Sequence, residues 1–371
     1  MKVALAVDAI GPELTGIGRY CLELANRLPS HRDVESLTMF RGDREVRTLL
    51  DSAAPRTRWR KFADRFARPR DERPMLARSD VVHGPNYMLP EWAETGVVTI
   101  HDLSVFRFPE MHPPERVANF EREMRRSVER ASHLITDCET IRQEVIAFTG
   151  FAPDLVTAVP LGIAPSFRPM QAAERAPILR RHGLPPAGYG LTLSSLEPRK
   201  RIDRLLSAWR RLPDALRQRF PLAIAGASGW KNDALHHAIR MGADEGWVIP
   251  LGFVSEDELP AIYAGAALFL YPSIYEGFGL PPLEAMASGV PTVVAGGSCL
   301  AEVTKGGAML VEPDDADAFA QAIVQALEDE EWRRIAVSSG IQIAAGYTWE
   351  TCVDRTVDVY QRVVSGAKSA A

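Results

Sequence analysis

Two glutamates eight positions apart, Glu276 and Glu284, bracket the segment richest in chemical possibility, EGFGLPPLEAMASGVPTV. A carboxylate accepts hydrogen bonds from sugar hydroxyls, so one glutamate can grip a ribose and the other a hexose. Gly277 and Gly279, on either side of Phe278, free the backbone to approach a ligand closely. Leu280 and two prolines then open a helix, and proline suits a first helical turn. The free N–H groups and positive end of such a helix can hold an anion such as a diphosphate. Taken singly, each glutamate reads as a solvated loop acid or a helix-surface acid. The neighbouring glycines and prolines favour the binding reading.

Several familiar motifs are missing or spoiled. Gly16–Ile17–Gly18–Arg19–Tyr20–Cys21 follows the first strand, but Cys21 stands where a dinucleotide fingerprint needs glycine. There is no GxxxxGK[ST] phosphate loop and no GxSxG elbow. His236–His237 has no ligand-spaced companions, so no metal role is assigned to it. Asp315–Ala316–Asp317 has the form of a metal-binding DxD but precedes a helix, where acidic residues cap the positive end of the dipole. No metal site is expected.

The elements that must position these residues alternate between strand and helix. Ala267–Tyr271 is a buried-type strand that exits into the Glu276 loop, and Pro282–Met286 is helical. In the first half, strands are expected at Val3–Val7, Val97–Ile100, His133–Thr136 and Leu155–Val159, with a helix at about Ile17–Leu28. Val117, Phe120, Met124 and Val128 recur at helical spacing and read as a core-facing stripe. Pro160–Pro186 is proline-rich and reads as a linker containing a short helix. Alternation restarts with strands at Leu191–Ser194, Leu222–Ala225, Trp247–Leu251, Thr292–Ala295 and Met309–Val311. Helices are expected at Ile202–Leu212, Asn232–Met241, Glu256–Ala264 and Ala316–Leu327. Repeated βα units imply parallel sheets covered on both faces. Ligands bind at the carboxyl ends of the strands in such sheets, so the expected site lies in a cleft between two domains.

Composition agrees. At 371 residues the chain predicts about two domains. Hydrophobic residues make up 46% and charged residues 25%, as in ordinary soluble globular proteins. The formal charge of −5 argues against an overall basic nucleic-acid binder. Cys21, Cys138, Cys299 and Cys352 are far apart and form no CxxC pair, which fits a reducing cytoplasm without structural zinc or disulfides. MKVALAVDAI reads as a strand, not a signal peptide. The most apolar stretch, Ala264 to Tyr271, falls far short of the ~20 residues that span a bilayer.

EGFGLPPLEAMASGVPTV resembles the E-x7-E signature of retaining glycosyltransferases of the GT-B fold, family 4 (group 1). Other stretches match in family order: Gly16–Gly18–Arg19 the glycine loop, Ile100–His101–Asp102–Leu103 the HD element, and Val159–Pro160–Leu161–Gly162–Ile163 the PxGI segment. Leu196–Glu197–Pro198–Arg199–Lys200 matches the EPRK motif, and Leu251–Gly252–Phe253–Val254 the strand-end turn near the nucleotide base. The resemblance covers roughly residues 1–350. It implies an α/β protein with two Rossmann-like doubly wound domains facing across a cleft: an N-terminal acceptor domain over 1–165, a C-terminal donor domain over 166–345, and a last helix over 346–371 returning to the N-terminal domain.

The resemblance also implies roles. Glycosyl transfer expels a nucleoside diphosphate, and preplaced cations stabilise the charge growing on its bridging oxygen. Lys200 is the residue expected at the diphosphate. Ser194–Ser195 stands where many relatives carry a GR pair, which leaves open whether Arg199 supplies the second positive charge. The alternative for Arg199–Lys200–Arg201 is a solvated helix start. His101 is expected to contact the donor hexose or to stabilise a developing oxocarbenium ion; the alternative is a capping or core histidine, which Asp102 could hold. Glu276 matches the residue that binds donor-sugar hydroxyls, and the implied mechanism is front-face attack with retention. Gly16, Gly18, Arg19, Ser195, Phe253, Val254, Gly277, Phe278, Gly279, Leu280 and Glu284 complete the expected donor contacts.

Residues 56–73, RTRWRKFADRFARPRDER, hold eight basic and three acidic side chains, a local excess of +5. Trp59, Phe62 and Phe66 recur among the charges at helical spacing. Such a stretch suits an anionic membrane surface, or equally a helix with a solvated basic face. Arg58, Trp59, Arg60, Lys61 and Arg65 are the membrane or acceptor candidates. The expectation is a metal-independent hexosyltransferase of the cytoplasm or the cytoplasmic face of the inner membrane. It would have no cofactor beyond its nucleotide-sugar co-substrate, GDP-mannose before UDP-glucose, and a lipid-linked or oligosaccharide acceptor in surface polysaccharide (O-antigen, lipopolysaccharide, exopolysaccharide) assembly. Nucleic acid is not an expected partner. The rivals are a sugar-nucleotide epimerase or hydrolase of the same fold, and a non-catalytic sugar-nucleotide-binding protein.

Overall fold

A computed structural model describes residues 1–12, 14–49, 78–227 and 229–370. The chain divides into two compact units, Met1–Leu103 with Glu115–Gly162 and Trp349–Ala371, and Ser104–Pro114 with Ile163–Thr348. The basic candidates Arg58, Trp59, Arg60, Lys61 and Arg65 lie outside the described residues.

The first unit is built on β1 (Lys2–Ala6), β2 (Ser36–Arg41), β3 (Arg44–Val46), β4 (Val81–Gly84), β5 (Gly96–Thr99), β6 (Ala131–Thr136) and β7 (Val156–Ala158). Among the described residues these form one sheet in the order β3-β2-β1-β4-β5-β6-β7, parallel except for β3. β4 and β5 are buried at every position, as strands covered on both faces must be. The Trp349–Ala370 helix belongs to this unit. A buried polar string ties it in. The Tyr360 hydroxyl meets His83 Nδ1 at 2.7 Å, His83 Nε2 meets Thr99 Oγ1 at 2.8 Å, and Thr99 meets the Tyr20 hydroxyl at 3.0 Å. Burial lowers the pKa of His83 to about 3, so it serves the string as a neutral ring.

On the Pro114–Arg130 helix the expected stripe faces inward, but only Met124 of its four members is buried, beside Ser127. Val117, Phe120 and Val128 are half-buried. Phe120 instead finds cover from the Tyr87 ring at 5.1 Å and the Arg116 guanidinium at 5.2 Å.

The second unit carries β8 (Gly190–Leu193), β9 (Leu222–Ala225), β10 (Val248–Gly252), β11 (Leu268–Tyr271), β12 (Thr292–Ala295) and β13 (Met309–Val311). They form a wholly parallel sheet among the described residues, in the order β10-β9-β8-β11-β12-β13. Alternate side chains along a strand point to opposite faces. Leu268 and Leu270 therefore join one core with Trp209, Ile224 and Val293, while Phe269 and Tyr271 join the other with Leu191, Tyr263 and Val294. The strand order reverses between β8 and β11, the point at which sheets of this kind open a crevice at their carboxyl ends. The proline-rich stretch after residue 160 contains a full helix, Ala172–Arg181, opened by a reciprocal Gln171–Glu174 capping box.

Candidate active site

The loops leaving β8 and β11 flank that reversal and are laced together. Arg199 O accepts from Ile274 N at 3.1 Å and from Ser273 Oγ at 3.3 Å, and Arg199 Nη1 donates to Tyr275 O at 2.8 Å. The β8 loop ends in a 3-10 turn, Pro198–Lys200, and Arg201 reverses the chain at φ +52° into the Ile202–Arg210 helix. Gly226, at φ +140° after β9, lets Ser194 lie against it; a Cβ there would sit 1.8 Å from Ser194 O. The β11 loop ends at Gly279, φ +107°, which caps the Leu280–Ala287 helix; a Cβ there would meet Leu300 at 2.6 Å. A side chain is excluded at either glycine by both backbone angle and space.

This lacing concentrates charge. Lys200 Nζ donates to Glu276 Oε1 at 2.5 Å and to the Tyr271 hydroxyl at 3.2 Å. Arg199 Nη1 lies 3.5 Å from Glu276 Oε2, and Arg199 Nε donates to Glu197 Oε2 at 3.3 Å. Ser195 Oγ donates to the other Glu197 oxygen. Glu197, Lys200 and Glu276 are each only 6–7% exposed, so these ions interact with little screening by water. Burial by itself would raise the Glu276 carboxyl, but the charges of Lys200 and Arg199 outweigh it and hold its pKa at about 2. Burial, helped by Arg199, lowers the Lys200 ammonium against the opposing pull of Glu276. Two positive and two negative side chains balance, and the Lys200 ammonium has three donors, of which two are engaged here.

Glu284 is buried on the Leu280–Ala287 helix, where the Tyr263 hydroxyl donates to its Oε2 at 2.9 Å. Phe278 and Leu280 are core side chains, so what they offer a ligand is backbone; the Phe278 ring packs edge-on to Tyr347 at 5.6 Å. Of the turn after β10, Val254 is buried while Phe253 is 47% exposed, an aromatic face open to solvent.

In the first unit, Gly16, Gly18 and Arg19 open the Gly16–Arg27 helix after β1, with Thr15 Oγ1 accepting from Gly18 N at 3.2 Å. His101 follows β5, 5% exposed, with the Tyr20 and Tyr87 rings edge-on at 5.2 and 5.6 Å. Its Nδ1 meets Asp137 Oδ2 at 2.8 Å and its Nε2 meets Pro85 O at 2.9 Å. The holder is thus Asp137, not the adjacent Asp102. A carbonyl only accepts, so Nε2 carries a proton. Burial lowers the His101 pKa, yet the Asp137 charge and hydrogen bond outweigh it and the net shift is upward. Burial likewise raises the Asp137 carboxyl. With both nitrogens engaged, His101 is built as a fixed member of its unit.

The Asp315 side chain accepts from Asp317 N at 3.0 Å and Ala318 N at 2.8 Å, which is the helix cap expected from its place in the sequence. Glu197, Tyr271, Tyr263 and Asp137 escape a reading of sequence spacing. Glu197 is visible only as a letter of EPRK, and Asp137 lies 36 residues from His101, reached because β5 and β6 are neighbours. The segment 104–114 also escapes it. Phe108 and Arg107 pack on the Tyr275 ring at 5.6 and 5.4 Å, Trp230 Nε1 donates to Met111 O at 2.8 Å, and Lys231 Nζ donates to Glu110 O at 2.7 Å.

Residues 186–342 match the family model of glycosyl transferases group 1, and residues 14–167 that of glycosyltransferase family 4. The chain is 37% identical, over 97% of its own length and 100% of the other's, to the O-antigen chain mannosyltransferase B of Escherichia coli. It is 30% identical to a serotype-specific mannosyltransferase WbdA of Escherichia coli over 65% of this chain and 30% of that one. Among solved structures it is similar to WaaG, a glycosyltransferase involved in lipopolysaccharide biosynthesis, with TM-score 0.70 at 16% identity, covering 96% of this chain and 99% of that chain. The sucrose-phosphate synthase of Thermosynechococcus elongatus gives TM-score 0.74 at 18% identity, covering 99% and 100%. Two parallel-sheet α/β units of this order define the GT-B class. The chain belongs to the group 1 glycosyltransferases, family 4.

Proposed function

We propose that this chain is a retaining hexosyltransferase that moves mannose from GDP-mannose to a saccharide acceptor, lipid-linked, in surface polysaccharide synthesis. The observation that carries the reading is the buried Lys200–Glu276 pair at 2.5 Å, laced to Arg199 at the strand-order reversal. In the reaction the bond between the sugar C1 and the diphosphate oxygen breaks, leaving its electron pair on that oxygen. The acceptor hydroxyl bonds C1 from the same face and its proton passes to the leaving phosphate. The third N–H of Lys200 is the donor for that oxygen, and the amino end of the Leu280–Ala287 helix adds positive potential. In this reading the positive charge at the diphosphate comes from protein groups and not from a metal ion. Glu276, held ionised, accepts from hexose hydroxyls, Glu284 from the ribose, and exposed Phe253 lies under the base. The backbone of Gly277 and Gly279 approaches the donor.

The choice of mannose is supported by the 37% identity with an O-antigen mannosyltransferase along nearly the whole chain. A donor panel tests it. A bound ligand at 100 times its Kd stabilises by about 2.7 kcal/mol. GDP-mannose is expected to raise the melting temperature by several degrees and UDP-glucose by less, with sugar consumed only when acceptor is present. Turnover of the donor in acceptor-free buffer would favour an epimerase or hydrolase instead.

We also infer contact with the cytoplasmic face of the inner membrane. Among the described residues no helix is long and apolar enough to cross a membrane. The +5 stretch at 56–73 supports peripheral binding, since each Lys or Arg near an anionic surface contributes about 1 kcal/mol. Changing Arg58, Arg60, Lys61 and Arg65 to Ser is expected to release the protein from phosphatidylglycerol vesicles while it still binds GDP. Unchanged vesicle binding would refute membrane contact through this stretch.

A further inference from the structure

At the opposite edge of the second unit's sheet lies a cavity of about 610 Å³. Gly188, Phe220 and Ala267 in its wall lie one or two residues before β8, β9 and β11, so it opens at the amino ends of these strands, while the carboxyl ends of β8 and β11 lead to Lys200 and Glu276. Three guanidinium groups line it, those of Arg175, Arg219 and Arg333. Each is held in place by something other than an acid. Arg175 Nη1 donates to Ala264 O at 2.9 Å, Arg333 Nη1 donates to Ala326 O at 2.7 Å, and the Arg219 guanidinium lies 4.8 Å over the Phe220 ring. Among the described residues none of the three makes an ion pair with a carboxylate, although Glu328 and Glu330 share the wall. Each guanidinium has five N–H donors in a rigid fork, and at most two contacts of each are used. Burial, followed by the nearby charge of Arg219, lowers the Arg333 pKa.

We propose that this cavity is a second ligand site, which binds the phosphate group of a phosphorylated sugar. Guanidinium forks match phosphate oxygens two at a time, and three guanidinium groups against two carboxylates leave the wall net positive, which favours an anion. The carboxylates of Glu328 and Glu330 accept from hydroxyls, which gives the polyol part of such a ligand its partners. Its chemistry does not depend on the donor reading of the other edge, since none of its lining residues belongs to the laced loops.

The test is calorimetric titration of the full chain with mannose 6-phosphate, and with mannose as the phosphate-free control. Saturable binding of the phosphate ester is expected, with none for mannose. The double variant Arg219→Gln, Arg333→Gln should weaken binding at least tenfold. Arg219 is exposed and glutamine at 333 keeps an amide donor, so the variant should melt as the parent does. Lys200→Met, altered only at the other edge, should bind mannose 6-phosphate as the parent does. Phosphatidylcholine vesicles with and without phosphatidate separate the sources of the phosphate. Binding of mannose 6-phosphate alone would mean that a soluble ester supplies it, whereas arginine-dependent retention on phosphatidate without binding of mannose 6-phosphate would assign the site to a lipid headgroup and overturn the sugar reading. Binding that survives the double variant, or no arginine-dependent binding of either probe, would overturn the proposal.

Discussion

Lys200→Ala is expected to lower kcat/KM by three orders of magnitude or more while leaving a folded protein. Removing a single preorganised donor from a developing oxyanion costs on the order of 10² to 10³ in rate, about 3–4 kcal/mol. Here the lost donor also carries full charge in a site only 6% exposed. A second loss comes through Glu276. With Lys200 present its carboxyl titrates at about 2, below its ordinary 4.5, so its ionisation adds stability that is complete above pH 4.5 and lost as pH falls through 2. Without Lys200 the burial acts on Glu276 with the Arg199 charge and the Ser273 hydrogen bond alone against it. The carboxyl rises, and the stability it adds shrinks. Breaking a buried pair from one side costs about 3–5 kcal/mol because the partner charge is left uncompensated. Melting curves should therefore show a large drop for Lys200→Ala, and the double variant Lys200→Ala, Glu276→Gln should regain much of it without regaining transfer. The two readouts separate chemistry from folding. Near-normal turnover in Lys200→Ala would refute the site assignment, whatever the melting curve shows.

Such an experiment could be planned from the sequence because Lys200 and Glu276 sit in motifs whose spacing carries their chemistry. The strands that deliver them are β8, GLTL, and β11, LFLY, the second a continuous apolar run that can only be buried on both faces. Glu284 was legible for the same reason. What the sequence could not show is mutual distance. Nothing in the spacing of 76 residues says that Lys200 and Glu276 meet at 2.5 Å; that follows from the placing of β11 next to β8. Glu197 was hidden differently. It reaches Arg199 only two positions on because Pro198 starts a 3-10 turn, a local bend that no hydrophobic period marks. The stripe on Pro114–Arg130 was legible in direction but not in depth, since periodicity reports which face turns inward and not how much covers it. Asp102, adjacent to His101 in the chain, was the natural holder by proximity; the sheet supplied Asp137 from the next strand.

Asp137→Asn makes the consequence of that substitution of partners measurable. The change keeps the shape of the side chain and removes its charge. In the parent, Asp137 is the largest influence opposing burial at His101, and the imidazole is held above its ordinary 6.5. A group whose folded pKa is raised adds stability that is fully present below its unfolded value of about 6.5. That stability is lost as pH rises through the folded value. With asparagine the burial, the largest influence, is opposed only by the Pro85 carbonyl and the Asp102 charge, so the imidazole is expected to titrate below 6.5 and the sign reverses: His101 then destabilises at acid pH, and stability recovers as pH rises toward 6.5. The neutral ring keeps its Nε2 proton for Pro85 O, and an asparagine amide N–H donates to the bare Nδ1. Both hydrogen bonds are thus preserved and only the charge changes. His133, lowered by burial to about 4, contributes alike to parent and variant, and His83, lowered to about 3 by burial and then by the charge of His101, stays neutral in both folded proteins between pH 5 and 8. Plotted against pH, the stability of the parent minus that of the variant should therefore fall from pH 5 to pH 8. In the histidine NMR spectrum one resonance should move from above 6.5 to below it. If His101 serves only to hold the loops after β4 and β5, Asp137→Asn should leave KM for the donor and kcat unchanged at pH 6.5, where the parent ring is mostly protonated and the variant ring mostly neutral. A fall in kcat alone at that pH would show that the positive charge of the ring acts on the reaction itself, as a geometric role could not. An unchanged pH dependence of stability would show that Asp137 does not set the protonation of His101.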